Sequence, residues 1–290
     1  MKKALRYFII HHKGIWLGYL LFIIVFCFTL AYLYPIKVYL LAVAAMMLLC
    51  FFLYVALIIP LLCTINDTLF QRCAPQEMLQ FISELFDGAD VFSVLGGGSS
   101  ARLAQGIWID RGILLFSLGL YDEALENYRI LEQSGAKLPR ALEGAAMLDL
   151  SRIAAVRGDE VYAQQYIAKA RACFKGFCKK VRLLNGMSPE NALCEAEAYA
   201  ALRAGEYDRA EALYAELGAF LNHAKRKPMQ LYRVDYERQV GALYFQTARI
   251  RECVPHMQFA SENGGETVFA KEAAGFIDLI ASVDSDESEQ

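Results

Sequence analysis

The side chains that most often perform catalysis or bind metals are dispersed along this chain of 290 residues. Two of its four histidines, His11 and His12, are neighbours, and adjacent residues of a helix do not face one another. The other two, His223 and His256, lie far from them in sequence. The histidines therefore do not predict a metal site.

The eight cysteines also lack a pattern that binds a metal or forms a disulfide framework. Three lie within the apolar first 63 residues, and five are scattered through later segments with helical periodicity. No CxxC pair and no Cys/His cluster with the spacing of zinc ligands occurs. Scattered, unpaired cysteines are typical of proteins in a reducing compartment.

Two pairs of acidic residues are close enough in sequence to suggest general acid–base catalysis, Glu195 with Glu197 and Asp284 with Asp286. Residues two positions apart on a helix point in different directions, and the second pair belongs to an acidic tail. The sequence also contains no G-x-S-x-G nucleophile turn and no HExxH metal motif. We therefore interpret these charges as solvated surface groups, and predict that the chain is not an enzyme and has no catalytic, cofactor or metal site.

A run of three glycines and two serines at residues 96–100 is the one segment that suggests nucleotide binding. A phosphate-binding loop needs a Gly-Lys-Ser/Thr ending and a preceding strand, and neither is present. A flexible linker is the better interpretation of residues 87–100.

The distribution of apolar residues divides the chain into a membrane segment and a helical domain. Residues 15–34 and 38–63 form two long apolar runs, and a run of roughly 18 or more apolar residues can cross a bilayer as a helix. Residues 1–63 contain five of the 29 Lys and Arg and no acid, which leaves 24 basic residues against all 32 acidic ones, a formal net charge of −8. We predict a two-helix transmembrane hairpin over residues 1–63. The acidic remainder argues against nucleic-acid binding, which needs a basic face.

The hairpin is expected to lie in the cell membrane with both termini in the cytoplasm. Four Lys and Arg precede the first run and one lies in the turn, so the positive-inside rule keeps the N-terminus cytoplasmic. A cleaved signal peptide is the alternative, but its apolar region is roughly 7–15 residues long and no cleavage site follows the first run. Neither run contains Asp, Glu, Lys or Arg, which favours an anchor over a channel or carrier.

Residues 64–100 are predicted to connect the hairpin to the domain. Apolar residues recur at helical spacing over residues 75–86, and Pro75 suits the first turn of a helix. Residues 101–283 are predicted to be helical throughout, with the last stretch, residues 267–283, capping the domain. Residues 284–290 are predicted to be a disordered acidic tail.

Residues 101–264 contain four copies of one helical-hairpin pattern. The position that starts each copy, Trp108 in the first, is followed 16 residues later by a small residue on the second helix. The small residues of the first helices are Gly112, Ser151, Ala198 and Gly241, and those of the second helices are Ala124, Ala163, Ala210 and Cys253. Small side chains at these positions allow the two helices of a pair to approach closely.

This pattern resembles the tetratricopeptide repeat family. The resemblance includes the turns at residues 118–124 and 204–210, which look like the turn that the family places between paired helices. Successive small positions are 39, 47 and 43 residues apart instead of about 34, so we expect longer helices or loops here. The fold class that the resemblance implies is all-α, a transmembrane hairpin followed by a TPR-like α-α solenoid.

In this family the first helix of each pair lines a concave groove, so the resemblance implies a protein-binding groove. By position its residues are Asp110, Ile113, Phe116, Arg152, Glu195, Tyr199, Arg203, Asp235, Arg238 and Phe245. Mixed charged and aromatic side chains suit an extended peptide or a partner helix, and the alternative is that these residues are ordinary surface. The predicted partner is a protein or peptide, with no nucleic acid and no small-molecule substrate.

Two functions fit these features. The first is a membrane-anchored scaffold that recruits a protein or peptide to the inner face of the membrane. The second is a regulatory or assembly subunit of a membrane transport, secretion or envelope complex, in which the hairpin contacts the complex. Binding that survives deletion of the hairpin would favour the first.

Overall fold

The computed structural model describes residues 71–97, 101–177, 187–223 and 230–288, together with the isolated positions 25, 46, 47, 49 and 68. These residues contain eleven α-helices and no β-strand. In chain order the helices are α1 Pro75–Phe86, α2 Val91–Leu95, α3 Arg102–Ser117, α4 Tyr121–Gln133, α5 Arg140–Val156, α6 Glu160–Phe174, α7 Pro189–Arg203, α8 Tyr207–His223, α9 Gln230–Gln246, α10 Ile250–Asn263 and α11 Val268–Ser288. The all-helical fold class is confirmed for this part of the chain.

Consecutive helices from α3 to α10 pack in pairs. Helix α3 packs on α4, α5 on α6, α7 on α8 and α9 on α10. The first helices of neighbouring pairs also touch, α3 with α5 and α5 with α7. Helix α1 packs on α3 at one end of the stack, and α11 packs on α10 at the other. The order of the pairs follows the four units of the sequence pattern.

The same turn joins the two helices of every pair. A residue with positive φ follows each first helix, and these residues are Gly119, Gly158, Gly205 and Ala248. In the first pair the amide of Leu120 donates to the carbonyl of Leu115 at 2.9 Å, and the amide of Gly119 donates to the carbonyl of Phe116 at 3.0 Å. The corresponding two bonds occur in the other three turns. A left-handed residue with this bonding pattern ends a helix and satisfies its last carbonyls, so the second helix starts at the same point in every unit.

Small residues set the distance between the paired helices. A Cβ atom added to Gly112 would lie 2.5 Å from the ring of Tyr128, and one added to Gly241 would lie 3.0 Å from Met257. The small residues of the four second helices have no exposed surface, and they are Ala124, Ala163, Ala210 and Cys253. The helices of each pair therefore cross at the positions that the repeat pattern identifies.

The two ends of the stack meet. The ring centroid of Phe116, near the end of α3, lies 6.1 Å from that of Phe269 in α11, and Gly119 packs against Val268. The segment before α1 joins this region, because the amide of Glu266 donates to the carbonyl of Cys73 at 3.2 Å. The shared side of the first helices is therefore enclosed and partly covered by α11.

Part of the predicted linker is helical. The range of α1 is the one expected for the connector helix, but α2 follows it where a flexible linker was expected. Its Val94 and Leu95 are buried, and the side chain of Gln105 donates to the carbonyl of Leu95 at 2.7 Å. Burial of these apolar side chains on the stack explains why this segment folds.

Helix α11 runs to Ser288, so it extends into the segment predicted to be an acidic tail. The predicted membrane spans at residues 15–34 and 38–63 lie outside the described residues, apart from four isolated positions. Among the helices that the structure does describe, none has the length and hydrophobicity needed to cross a bilayer.

Ala124→Leu and Ala210→Leu should each lower the melting temperature of the purified chain. Both alanines are fully buried at helix crossings, so a larger side chain must displace its neighbours at a typical cost of ~1–3 kcal/mol. Each kcal/mol lowers the melting temperature by roughly 2–4 °C in a domain of this size. Ala212→Leu is the matched control, because Ala212 is an exposed residue of the same helix as Ala210. If all three variants melt alike by circular dichroism, the packing described here is wrong.

Candidate functional site: a buried charge cluster and an open cleft

The first helix of each pair places one acidic side chain on the enclosed side of the stack. Helix α3 contributes Asp110, α5 Asp149, α7 Glu195 and α9 Asp235. Two arginines, one from α5 and one from α9, lie among these carboxyl groups. We call this set the interior charge cluster, and its members are Asp110, Asp149, Arg152, Glu195, Asp235 and Arg238.

Asp235 is the centre of the cluster. One of its oxygens accepts hydrogen bonds from Arg238 at 2.7 Å and from Gln239 at 3.3 Å, and the other forms an ion pair with Arg152. The residue is only 2% exposed. Burial alone would raise the pKa of Asp235, but the two guanidinium groups outweigh burial and lower that pKa below its ordinary value. Asp235 is therefore ionised at neutral pH and holds two positive charges inside the domain.

Arg152 connects three helices besides its own. Its guanidinium pairs with Asp235 of α9 and lies 4.7 Å from the ring centroid of Phe116 in α3 and 5.6 Å from that of Tyr199 in α7. A planar guanidinium can stack on an aromatic face while its edge donates hydrogen bonds to a carboxylate. Arg152 therefore joins all four helix pairs and fixes their relative spacing.

Arg238 connects the cluster to the last helix. Besides its bond to Asp235, it donates to a carboxylate oxygen of Glu272 at 2.8 Å. Its guanidinium also lies 5.1 Å from the ring centroid of Phe269. Both contacts are made to α11, so this single side chain ties the covering helix to the interior.

The other three carboxyl groups of the cluster, Asp110, Asp149 and Glu195, bind protons more tightly than free carboxyl groups do. We call them the carboxyl triad. Burial and the neighbouring Asp149 raise the pKa of Asp110 to about 7. Burial raises the pKa of Asp149 to about 6, although a hydrogen bond from the Tyr128 hydroxyl at 2.7 Å and the charge of Arg152 both act to lower it. Burial likewise raises the pKa of Glu195 to about 7 against the attraction of Arg152. The triad therefore exchanges protons near neutral pH.

The structure places the predicted groove residues inside or at the edge of the domain instead of along an open surface. Ile113, Glu195 and Phe245 are half-buried and Arg203 is exposed, with its guanidinium over the ring of Tyr199. The six buried ones are Asp110, Phe116, Arg152, Tyr199, Asp235 and Arg238. The first helices converge and α11 occupies the space between them, which is why these side chains contact one another. Their role in binding a partner stays a prediction, and a partner cannot reach the buried six in this closed conformation.

Sequence reasoning missed three residues of this region. Asp149 follows the start of the second unit by two positions, as Asp110 does in the first, so alignment of the units carries the signal for it. Nothing in the sequence marks Phe269 and Glu272, because their contacts depend on how far the stack curves.

A second feature is an open cleft of about 790 Å³ between α4 and α6, the second helices of the first two pairs. Its apolar lining includes Leu125, Met147, Leu150 and Ile153. Three tyrosines also line it, Tyr128, Tyr162 and Tyr166, and the second of these is 54% exposed. The cleft therefore combines an apolar lining with aromatic walls that solvent can reach.

The edge of the cleft carries both kinds of charge. Arg157 pairs with Asp122 at 2.6 Å and Arg129 with Glu126 at 3.4 Å, and both acids lie outside the cleft lining. The Lys169 ammonium lies 5.4 Å from the ring centroid of Tyr166. Among the described residues, Lys169 and the other lysine of the lining, Lys137, form no ion pair, and the lining also carries the acids Glu132, Glu143 and Asp159.

In the part of the chain that the structure describes, no group of three His, Cys, Asp or Glu is placed to hold a metal ion. Comparisons with protein family models, with curated proteins and with solved structures find no match to this chain. The function is therefore inferred from the cluster, the cleft and the stack that positions them.

Arg152→Met should destabilise the chain far more than Arg157→Met. Both arginines form an ion pair at the end of α5, but Arg152 pairs inside the cluster and Arg157 pairs at the exposed surface. Breaking a buried pair leaves an uncompensated charge and costs ~3–5 kcal/mol, whereas a surface pair is worth ~0–1 kcal/mol. Urea unfolding of the two variants measures the difference. Equal midpoints would show that the buried pair does not hold the domain together.

The triad should make the free energy of unfolding fall as pH rises from about 4 to about 7. The pKa values of the triad in the folded chain lie above those of free carboxyl groups, so over this range the unfolded state binds fewer protons than the folded state. Raising the pH therefore favours the unfolded state. Asp235 acts with the opposite sign, and its contribution is lost only as pH falls below about 4.

The double variant Asp110→Asn with Glu195→Gln isolates this effect, because each change keeps the shape of the side chain and removes the ionisation. Urea midpoints at several pH values should converge for parent and variant near pH 4 and diverge toward pH 7, with the variant more stable. Parallel pH profiles would contradict the burial of these charges.

Proposed function

We propose that this chain is a membrane-anchored scaffold of the tetratricopeptide type that binds a segment of a partner protein. The observation that supports it best is the open cleft on a stack of paired helices. Stacks of helix pairs provide extended binding surfaces in repeat proteins. The shared turn and the small crossing residues give further support to the family resemblance.

The chemistry of the cleft suits a peptide. Tyr162 and Tyr166 offer large contact area at low entropic cost, and tyrosine is enriched among the residues that dominate binding energy. The apolar side chains of α5 would bury an apolar anchor of the partner. Lys137 and Lys169 would pair with an acidic group beside that anchor. The partner segment is therefore one that carries an apolar residue next to Asp or Glu.

The membrane part of the proposal rests on the two apolar runs at residues 15–34 and 38–63. A hairpin there returns the chain to the side on which it began, so the cleft would face the cytoplasm. Anchoring confines the cleft to the membrane surface and raises the local concentration of any partner that also lies there.

A regulatory or assembly subunit of a membrane transport, secretion or envelope complex is the second candidate. The observation that favours it is the presence of two apolar runs where one would suffice as an anchor. A second span adds helix surface for packing against other membrane helices. Deletion of residues 1–63 separates the two candidates, because a scaffold keeps its partner and such a subunit loses it.

The topology can be tested by labelling single cysteines with a reagent that cannot cross the membrane. A cysteine introduced at Ile36 should react from outside the cell, and one introduced at Glu262 should react only after the cells are opened. The parent chain provides the background from native cysteines. Reaction at Glu262 in intact cells, without reaction at Ile36, would overturn the topology.

Tyr162→Ala combined with Tyr166→Ala should weaken partner binding by about tenfold, equivalent to about 1.4 kcal/mol, because both rings line the cleft. Val161→Ala is the matched control, since Val161 is 67% exposed and adjacent but does not line the cleft. Co-purification from detergent-solubilised membranes reports binding, and circular dichroism reports the fold. A partner retained equally by all three proteins would place the binding site elsewhere.

A further inference from the structure

The contact between the two ends of the stack is a seam formed by Phe116 and Gly119 on one side and Val268 and Phe269 on the other. It joins elements more than 140 residues apart in a chain whose other helix contacts are mostly between neighbours. The seam closes the space that the first helices share. The stability of the seam therefore depends on the side chains that lie in this shared space.

Two arginines on the interior side of the seam contact its aromatic residues. On one side Arg152 stacks on Phe116, and on the other Arg238 stacks on Phe269. Both pair with the same carboxylate, Asp235. Phe116 and Phe269 therefore each contact an arginine, and the two arginines are joined by their shared ion pairs with Asp235.

The net charge of the interior charge cluster and its neighbour Glu272 depends on the protonation state of the triad. With the triad neutral, two positive charges face two negative ones, and the charged groups are Arg152, Arg238, Asp235 and Glu272. With the triad ionised, five carboxylates face these two guanidinium groups and that of Arg203, which is exposed at the rim. Asp110 is buried and Asp149 and Glu195 are half-buried, so ionisation of the triad costs desolvation energy and favours any opening that admits more water.

Several of the surrounding helices place titratable or charged groups near the triad. Tyr128 of α4, Arg152 of α5, Tyr214 of α8 and Asp235 of α9 act on it directly. Tyr199 of α7, Arg238 of α9 and Glu272 of α11 act on Arg152, on Asp235 or on one another. Tyr128 and Tyr214 stay neutral near pH 7, since burial raises the pKa of both well above the ordinary value. The triad is therefore the set of groups in this region whose charge changes near neutral pH.

We propose that the seam between α3 and α11 is a proton-operated latch, closed while the triad is protonated and opened when the triad ionises. The seam can part without breaking a helix pair, because α3 remains packed on α4 and α11 remains packed on α10. Opening admits water to the triad and uncovers Phe116 and Arg238, two of the residues that the sequence assigns to a binding groove.

Hydrogen exchange of the full chain, measured by mass spectrometry and corrected for the intrinsic effect of pH, tests the latch. Between about pH 5.5 and pH 8, amides of residues 268–283 and of the end of α3 should lose protection by on the order of tenfold or more relative to α5 and α6. The triple variant Asp110→Asn, Asp149→Asn and Glu195→Gln should keep these amides protected at both pH values. Glu272→Gln removes the negative charge that pairs with Arg238 and should reduce the protection of α11 at both pH values.

Three results would overturn the latch. The first is protection of α11 that does not depend on pH in the parent chain. The second is a loss of protection in the triple variant equal to that in the parent. The third is a loss shared by all helices, which would mean global unfolding. If the triple variant does not fold by circular dichroism, the single variant Asp110→Asn serves instead, and it should move the opening midpoint to higher pH.

Discussion

The domain depends on one buried arrangement, in which two arginines share the carboxylate of Asp235. Ion pairs in an apolar interior cost desolvation energy, so they stabilise a structure only when their geometry is good and their remaining polar atoms are bonded. Here stacking of both guanidinium groups on aromatic rings and the further bond from Arg238 to Glu272 offset part of the cost, and the Nε atoms of both arginines are buried without a hydrogen-bond partner among the described residues. The arrangement is also selective. It forms only when α5 and α9 come together, and the bond from Arg238 to Glu272 adds α11, so it favours one curvature of the stack over others.

The shared carboxylate of Asp235 links units that would not touch one another in an extended repeat protein. In an extended solenoid each unit contacts only its neighbours, and stability is close to a sum of local terms. The pair between Arg152 and Asp235 links the second unit to the fourth, and the rings of Phe116 and Phe269 link the first unit to the last helix. Long-range links of this kind make the units depend on one another. Unfolding of this domain is therefore more cooperative than that of an open array of the same length.

The helix crossings and turns follow from the sequence, whereas the contact between the two ends of the stack does not. Gly112 and Ala124 mark a helix crossing because only small side chains fit there, and Gly119 marks the turn because its backbone has positive φ. These are short-range rules that repeat in each unit. The groove residues were assigned by the same rules, which fix the helix face but not the radius of the stack. Small differences in crossing angle accumulate over four pairs, so the burial of Arg238 beneath α11 is invisible to a pattern that compares one unit with the next.

The two candidate surfaces are connected through a single residue. The ring of Tyr128 lines the open cleft and packs on Gly112, and its hydroxyl donates to Asp149 inside the cluster. Anything that moves this ring alters a hydrogen bond to a group that titrates near neutral pH, and any change in the charge of Asp149 alters the force on the ring. Linkage requires these effects to be reciprocal. A ligand in the cleft that favours the present position of Tyr128 must change the proton affinity of Asp149, and protonation of Asp149 must change the affinity of the cleft by the same factor. The cleft and the interior charges therefore form one thermodynamic system.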